Sequence, residues 1–355
     1  MQNKAPKLIL THSLPPNDTH TNELGLTKSA AQRLNKLKVP NLRKILEQSI
    51  PSFKKTLAPT SLNTPAEIAV ALAMGWTKPD GIDELDGELP FAALKAAELG
   101  LIQPAKFDAG SWAFITLCSW SVQHGQVSFS ADANELGLEA SESEKLFQKM
   151  KPYFAEDSIQ LFADMQLQPG QWLAYSEHFS SLASASLGRV SGRIIDDFLI
   201  GTGKSENHKS ANLLRRLQNE MQMLLYQDSV NDQRSIPINS FWISGTGTLT
   251  IDGHSLQTML EAYKHIQIKD VYTTQTALLH PDDPEWLNAW SRDWELIDAT
   301  LLDQYLVTKA NKINPTQLSL CNETTCITLS PVERSWSRNL IRLFKSNQLS
   351  NLLGF

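Results

Sequence analysis

The spacing of apolar residues predicts alternating strands and helices along most of the chain. The clearest helix spans residues 211–227, where Leu and Met recur at intervals of three and four and so share one helical face: Leu213, Leu214, Leu217, Met221, Leu224 and Leu225. Residues 112–130 are rich in Trp, Phe, Ile and Val and predict two strands that turn at residues 123–125. The run at 236–244 predicts a further, buried strand.

Helix start and stop signals mark the first hundred residues. Thr64 and Glu67 form a capping box, Pro65 occupies the first helical position, and Gly75 ends the helix. Other elements predicted there are a first strand at 7–10 and helices at 41–48 and 90–99. Residues 30–100 are therefore expected to form a helical block.

The remaining elements are shorter. A second capping box, Ser141 with Glu144, opens a helix that is expected to end near Tyr153. The others follow in chain order: a hairpin at 159–163 and 171–175, a helix at 255–264, a strand at 266–272, a helix at 284–306, a hairpin at 318–330 and a basic terminal helix.

This order of elements predicts an α/β fold with a mixed sheet covered by helices. We divide the 355-residue chain into three parts. Residues 1–110 hold the first strand and the helical block, residues 111–330 form a mixed α/β body, and residues 331–355 form a basic amphipathic helix.

Composition and charge narrow the class of protein. Hydrophobic residues make up 41% of the chain and charged residues 20%, as in ordinary globular proteins. The net charge of −6 argues against a protein that coats nucleic acid. Both ends are basic nonetheless: residues 1–55 carry ten Lys or Arg against three Asp or Glu, and residues 331–355 carry four against one. Three cysteines and no secretory signal predict a cytoplasmic protein.

Candidate metal ligands and phosphate-binding residues do not form a recognised motif. Two local groups are expected to be solvated loops: His12 with Asp18 and His20, and His280 with Asp282 and Asp283. The Gly-Lys-Ser at residues 203–205 lacks the first glycine of a phosphate loop, because Phe198 stands there. We therefore predict no metal and no cofactor.

Cysteine and tryptophan spacing has a structural interpretation. Cys321 and Cys326 flank a predicted hairpin turn, so their thiols are expected to face each other across two strands and to stay reduced in a cytosol. Trp286, Trp290 and Trp294 recur every four residues and predict a core-facing helical stripe.

The candidate ligand site is the turn that follows the strand at 236–244. A Gly-x-Gly turn at the carboxyl end of a buried strand can present backbone N–H groups where α/β folds bind ligands. The residues expected at this site are Asn239, Ser244, Gly245, Thr246, Gly247 and, from the preceding helix, Asn219, Gln222 and Arg215. In the alternative interpretation, the glycines only allow close packing and Asn239 only ties neighbouring backbone together.

Five segments stand out together: PNLRKIL at 40–46, TPAEIAVALAMGW at 64–76, DGELPFAAL at 86–94, LRRLQNEMQMLLYQDSVNDQR at 214–234 and PINSFWISGTG at 237–247. Their combination resembles a family of bacterial cytosolic regulatory proteins of the RpfE type. The pattern NxxWxxGxG within the last segment is also similar to the archaeal-type, cofactor-independent phosphoglycerate mutases.

The mutase resemblance implies an alkaline-phosphatase-like core in which Asp and His hold two divalent metals and Ser or Thr is the nucleophile. In that family the first strand leads to a metal-binding Asp, whereas here it leads to Thr11 and His12. A two-metal mechanism cannot stabilise the attacking and leaving oxygens without its ligands. The resemblance therefore implies a degenerate phosphomutase-like protein that lacks the activity.

The leading hypothesis is a non-catalytic cytoplasmic protein, with a regulatory role implied by the family resemblance. It would bind a small anionic or polar ligand, or a protein partner through residues 331–355. Two alternatives stay open. One is a metal-dependent phosphotransferase or hydrolase that brings together His12, Asp18, His280 and Asp282. The other is a membrane-surface or nucleic-acid adaptor that uses the basic ends.

Overall fold

The computed structural model describes residues 7–15, 35–102, 112–123, 125–201, 208–249, 256–273, 276, 285–302 and 317–331. Within these residues the strands are β1 Lys7–Thr11, β2 Ser49–Thr56, β3 Trp112–Gln123, β4 Gln126–Asp132, β5 Gln160–Phe162, β6 Gln171–Tyr175, β7 Ser240–Ser244, β8 Ile266–Asp270, β9 Gln317–Cys321 and β10 Thr325–Pro331. The α-helices of the same residues are α1 Pro40–Glu47, α2 Pro65–Met74, α3 Phe91–Glu98, α4 Ala140–Glu156, α5 Leu187–Val190, α6 His208–Tyr226, α7 Leu256–Lys264 and α8 Trp286–Ile297.

The chain divides into two compact units. The first takes its described residues from Met1–Pro59, Pro65–Gly75 and Glu261–Phe355, and we call it the split unit. The second, the central unit, takes them from Thr60–Thr64 and Trp76–Leu260. The split unit thus combines residues that are far apart in sequence. The expected division at residues 110 and 330 follows chain order and stays a prediction.

The split unit is built on a five-stranded mixed sheet with the strand order β2-β10-β9-β1-β8. β1 is parallel to β8 on one edge and to β9 on the other, whereas β10 is antiparallel to β9 and β2. β1 is therefore an interior strand. Its Leu8, Ile9 and Leu10 are all buried, as expected for a parallel strand covered on both faces.

Helices cover both faces of this sheet. Leu8 and Leu10 pack in one core with residues of α1 and α8, including the three tryptophans of α8. On the other face, Lys7 donates a hydrogen bond from Nζ to the carbonyl oxygen of Ala73 in α2. Trp286, Trp290 and Trp294 are each exposed by 1% or less, which confirms the predicted core-facing stripe.

A buried carboxylate fixes α1. Asp298, the first residue of the π-helical segment that continues α8, is 2% exposed and accepts hydrogen bonds from the backbone N–H groups of Asn41 at 3.0 Å and Leu42 at 2.7 Å. The first N–H groups of a helix have no partner inside the helix, and the helix dipole favours an anion there. Asp298 therefore caps α1 and joins it to the end of α8.

The central unit contains an antiparallel sheet organised around β3, the longest strand. β3 pairs with β4, β6 and β7, and β6 pairs in turn with β5. The predicted strands around residues 123–125 and the predicted hairpin of β5 and β6 are thereby confirmed.

Helix α6 packs against β7. Its apolar face is buried with Phe241 and Ile243 of β7, and its members are Ala211, Leu214, Leu217, Met221 and Leu225. Leu213 and Leu224 are partly buried at the edge of the same cluster. The predicted amphipathic helix and its packing near the strand that ends at Ser244 are confirmed.

The structure confirms the α/β class and the mixed sheet but differs in how the sheets are assembled. The strands between residues 112 and 244 form an antiparallel sheet, and the mixed sheet draws β1 and β2 from the N-terminal region. The expected helical block at 30–100 is interrupted, because residues 49–56 form β2. This strand lies at the edge of its sheet and carries Pro51, Lys54 and Lys55, which are typical of edge strands.

Two element boundaries also differ. The capping pair of α4 is Glu139 with Glu142 rather than Ser141 with Glu144, because the carboxylate of Glu142 accepts the backbone N–H of Glu139 at 3.0 Å. β7 covers only the second half of the strand expected at 236–244. The helix expected at 284–306 is α8 followed by a π-helical segment at Asp298–Leu302, and residues 284 and 303–306 lie outside the described residues. Of the expected terminal helix, residues 332–355 lie outside the described residues.

We expect Leu217→Ala to lower the free energy of unfolding by about 2–5 kcal/mol, because Leu217 is fully buried between α6 and β7. Met223→Ala on the same helix is the control, since Met223 is 78% exposed and its loss should cost less than about 0.5 kcal/mol. Urea unfolding of both variants measures the difference. Equal losses would contradict the assigned helix face.

Candidate functional site

Strands β1 and β8 end side by side, because their parallel register pairs Thr11 with Asp270. The carboxyl ends of strands in α/β sheets are common ligand-binding positions, since the residues that follow the strands meet there. His12 follows β1 directly, and Tyr272 lies two residues beyond β8. We name His12, Asp270 and Tyr272 the strand-end cluster.

The His12 ring is held on two sides. Its Nδ1 lies 2.7 Å from Oδ1 of Asp270, and because an ionised carboxylate can only accept, Nδ1 carries the proton. The ring stacks on Tyr272 with a centroid distance of 4.2 Å and an interplanar angle of 16°. In the described parts of the chain no polar atom hydrogen-bonds to Nε2 of His12, and the side chain is 36% exposed. Nε2 is therefore available to a ligand.

The backbone of His12 adopts an uncommon conformation. Its φ of 49° lies in the left-handed region, which non-glycine residues rarely occupy. Its carbonyl oxygen accepts a hydrogen bond from Nε1 of Trp290 at 2.9 Å, and the next N–H, of Ser13, donates to the carbonyl oxygen of Cys321 at 2.8 Å. Such conformations persist where the surroundings fix them, and they are concentrated at functional sites.

The electrostatics of Asp270 follow from its contacts. Burial alone would raise the pKa of its carboxyl, but the hydrogen bond and charge of His12 act in the opposite direction, as does the backbone N–H of Tyr272 at 3.0 Å. The net result is a pKa below the usual value. Asp270 is therefore ionised at neutral pH and accepts the hydrogen bond at Nδ1 of His12.

A second carboxylate supports the loop after β8. Asp293 in α8 is 7% exposed and accepts hydrogen bonds from the backbone N–H of Thr273 at 3.0 Å and from its hydroxyl at 3.1 Å. The hydroxyl of Thr276 donates to the same carboxylate oxygen. Helix α8 thus positions both sides of the cluster, the end of β1 through Trp290 and the loop after β8 through Asp293.

The glycine turn expected to bind a ligand, residues 245–247, follows β7 in the central unit as predicted. Thr246 is fully buried, and its hydroxyl lies 2.9 Å from that of Ser184. A Cβ atom on Gly247 would lie 1.7 Å from the carbonyl oxygen of Glu88. These contacts support the alternative in which glycine allows two backbone segments to pack closely, and the role of the turn in ligand binding stays a prediction.

Asn239 and Ser244 were both expected at or near the carboxyl end of the strand, but they lie at opposite ends of it. Asn239 precedes β7, whereas Ser244 is its last residue, so the two are about 17 Å apart along an extended chain. The Asn239 side chain accepts the N–H of Trp120 and donates to its carbonyl oxygen, both at 2.7 Å. Its role is to tie β3 to the start of β7.

The helix residue that reaches β7 is Gln218 rather than Asn219 or Gln222. Gln218 is 5% exposed, and its Nε2 donates to the carbonyl oxygen of Phe241 at 3.0 Å. Asn219 is exposed, whereas Gln222 and Arg215 are partly buried. The expected contribution of Asn219 or Gln222 to the strand is thereby corrected.

The metal-binding alternative finds no complete ligand set in the described residues, which contain no group of three or more His, Cys, Asp or Glu able to hold one ion. Asp18, His280 and Asp282 lie outside the described residues, as do residues 203–205. A metal site that includes them stays a prediction.

Among the helices that the structure describes, none combines the length and the apolar character needed to cross a membrane.

Comparison with known proteins does not assign the chain to a family. No family model matches it, and no curated protein matches its sequence. Among solved structures it is similar to a cofactor-independent phosphoglycerate mutase from Thermoplasma acidophilum DSM 1728, with 13% identity, coverage of 92% of this chain and 90% of that chain, and a TM-score of 0.33. A TM-score this low does not establish a shared fold, so the resemblances to the mutases and to the RpfE-type family stay expectations.

Asp270, Tyr272 and Asp293 were not among the candidate site residues expected from the sequence. The strand expected at 266–272 placed Asp270 and Tyr272 inside a strand, whereas β8 ends at Asp270. A signal was present, because an Asp side chain often accepts the backbone N–H two residues further on and so ends a strand in a turn, as Asp270 does with Tyr272.

We expect His12→Ala to raise the pKa of Asp270 from below 3.8 in the folded protein, because burial would then act without the opposing imidazole. A carboxyl whose pKa is lower in the folded than in the unfolded protein stabilises the fold at pH values above its unfolded-state pKa. Wild type should therefore lose this stabilisation as the pH falls below about 4, and the variant should lose less. Carboxyl ¹³C NMR titration measures the pKa. The control is Asp228, which should not change. Burial raises its pKa, but the hydrogen bonds from Lys149 and Val230 and the charge of Lys149 together lower it below the usual value. An unchanged Asp270 would contradict the assigned contact.

We expect Gly247→Ala to destabilise the protein by about 3 kcal/mol or more, because the new methyl group would overlap the backbone at Glu88. Gly137→Ala is the control, since Gly137 has a positive φ but open space around its Cβ position and should cost about 1–2 kcal/mol. Denaturant unfolding compares the two. If Gly247→Ala kept full stability and weakened binding of inorganic phosphate, the turn would be a ligand site instead.

Proposed function

We propose that this protein is a non-catalytic ligand-binding protein whose site is the strand-end cluster. The observation that carries the proposal is the His12 imidazole, oriented by Asp270 at 2.7 Å and by Tyr272 through stacking, with Nε2 free of polar contacts among the described residues. Ordering a ring in this way costs conformational entropy, and a left-handed backbone adds strain. Proteins retain such costs mainly at functional positions, which supports a binding role for His12.

The chemistry of the cluster favours a small polar ligand with a hydroxyl group. Because Asp270 fixes the proton on Nδ1, the lone pair of Nε2 accepts a hydrogen bond from a ligand O–H. The nearby carboxylate of Asp270 disfavours a negatively charged group at Nε2 itself, so the hydroxyl group of a ligand is expected there and any charged group of the ligand further away. The face of the Tyr272 ring offers an apolar contact beside the polar one, as in many small-molecule sites.

The wider role follows from the sequence. The resemblance to RpfE-type proteins supports a regulatory role in the cytoplasm, and the three cysteines are free thiols, as expected in a reducing compartment. A partner contact through residues 331–355 remains part of the proposal, because their basic residues suit an acidic protein surface.

We expect D-glycerate and 3-phosphoglycerate to shift the ¹⁵N resonance of His12 Nε2, and sulfate to leave it unchanged, because only the first two bring a hydroxyl group. The phosphoglycerate skeleton is chosen because the segment at 237–247 resembles phosphoglycerate mutases. Long-range ¹H–¹⁵N NMR of the full chain at pH 7.5 is the measurement. Asp270→Asn should weaken the response at least tenfold, since an amide no longer fixes the imidazole tautomer.

Glu261→Gln is the matched control, because Glu261 is an exposed carboxylate that pairs with Lys264 outside the cluster. It should respond as wild type does. A shift with sulfate alone would replace the hydroxyl ligand by an anion, and no shift with any of the three compounds would refute the site.

One observation favours a second candidate, a metal-dependent phosphotransferase or hydrolase. A carboxylate that orients an imidazole and leaves Nε2 free is also the usual support of a metal-binding histidine. Metal analysis of the purified protein and a coupled assay for 2- and 3-phosphoglycerate with added manganese or zinc distinguish the candidates. The leading proposal expects no turnover above buffer, and robust turnover would replace it.

A further inference from the structure

The hairpin of β9 and β10 places two cysteines directly opposite each other. Cys321 ends β9, and the antiparallel register pairs it with Cys326 in β10. The N–H of Asn322 donates to the carbonyl oxygen of Thr325 at 3.0 Å, so the Cys321–Cys326 pair next to it is a non-hydrogen-bonded pair. In such pairs the Cα atoms are about 4.5 Å apart, which lies within the range that a disulfide bond requires.

Side chains on this face of the hairpin touch across the strands. Two residues further along, the hydroxyl oxygens of Ser319 and Thr328 lie 3.0 Å apart in a pair of the same type. A hydrogen bond that the Cys321 thiol donates to Cys326, together with burial, raises the pKa of Cys321 well above its usual value. Both cysteines are 1% exposed and reduced.

We propose that Cys321 and Cys326 form a reversible disulfide bond, so that this hairpin is a site of thiol oxidation. The inference does not depend on the proposed ligand site. A low-molecular-weight disulfide is the oxidant. One cysteine thiolate attacks a sulfur of that disulfide and releases one small thiol, and the second cysteine then displaces the other. One protein S–S bond forms, two electrons pass to the oxidant, and both protons end on the released thiols.

The surroundings make the reduced form resistant to brief oxidation. Burial and a raised pKa keep the thiolate fraction low, and the thiolate is the reactive species. The pair is nevertheless separated from the exposed tip of the hairpin, at Glu323, only by Asn322 and Thr325. Opening of this end exposes both sulfurs at once. Oxidation is therefore slow at neutral pH and faster as the pH rises.

Cys321 is hydrogen-bonded directly to Ser13, the residue that follows His12. The N–H of Cys321 donates to Oγ of Ser13 at 2.9 Å, and the N–H of Ser13 donates to the carbonyl oxygen of Cys321 at 2.8 Å. A bridge between the strands therefore holds the segment that carries the end of β1. It should raise the thermal midpoint by about 5 °C, as expected for a short cross-link in a domain of this size.

The test uses the full chain incubated with oxidised glutathione. After the free thiols are alkylated, trypsin releases residues 313–334 as one peptide, and a protease specific for Glu cuts this peptide after Glu323, between the two cysteines. We expect the two fragments to stay linked in mass spectrometry until dithiothreitol separates them. The oxidised protein should also show the higher thermal midpoint.

Cys118→Ser is the matched control, because Cys118 is a buried thiol of the central unit, and this variant should form the same linked fragments. Cys321→Ser should give only separate fragments. In wild type, cleavage after Glu323 leaves the two cysteines on different fragments, so only a disulfide bond can keep these fragments together. The test is therefore decisive even if Cys321→Ser fails to fold. As a positive control, protein unfolded in urea should form the linked fragments, which shows that oxidised glutathione can oxidise the two thiols. A folded protein that stays reduced under the same conditions, or a link that includes Cys118, would overturn the proposal.

Discussion

The need to pair both edges of β1 governs the split unit. A short strand with Leu8, Ile9 and Leu10 all buried cannot leave its N–H and C=O groups to water, so each edge must meet another strand. β8 and β9 meet that need from positions about 260 and 310 residues further along the chain. The parallel register that results aligns Thr11 with Asp270. The geometry of the strand-end cluster is therefore a consequence of backbone hydrogen bonding.

Helix α8 holds in place the residues that follow β1 and β8. One face of the helix fills the core with tryptophan rings, and two of their indole N–H groups donate to the carbonyl oxygens of His12 and Ser13. The same helix supplies Asp293 to the loop after β8, and the π-helical segment that continues it supplies Asp298 to α1. One element thus provides hydrophobic burial and also satisfies polar groups that would otherwise be buried without partners.

Local signals in the sequence predicted local structure well. Pro65 and Gly75 bound α2, and the spacing of Leu and Met located α6, because both signals depend on residues within a few positions of each other. β2 was missed because an edge strand needs little hydrophobicity. Gln218 was overlooked although it lies four residues after Leu214 and three before Met221, on the buried face. The contact of His12 with Asp270 joins residues 258 positions apart and depends on strand register, which no local pattern encodes.

The arrangement of the strands also has a consequence for synthesis on the ribosome. The central unit is almost continuous in sequence, so its sheet can form as soon as residues up to β7 have emerged. β1 is made first among the strands but reaches neither of its partners until β8 and β9 have been translated, more than 250 residues later. At a translation rate of about 5–20 residues per second, this apolar strand waits some tens of seconds. During that interval it is a natural binding segment for chaperones that recognise short apolar stretches of a growing chain.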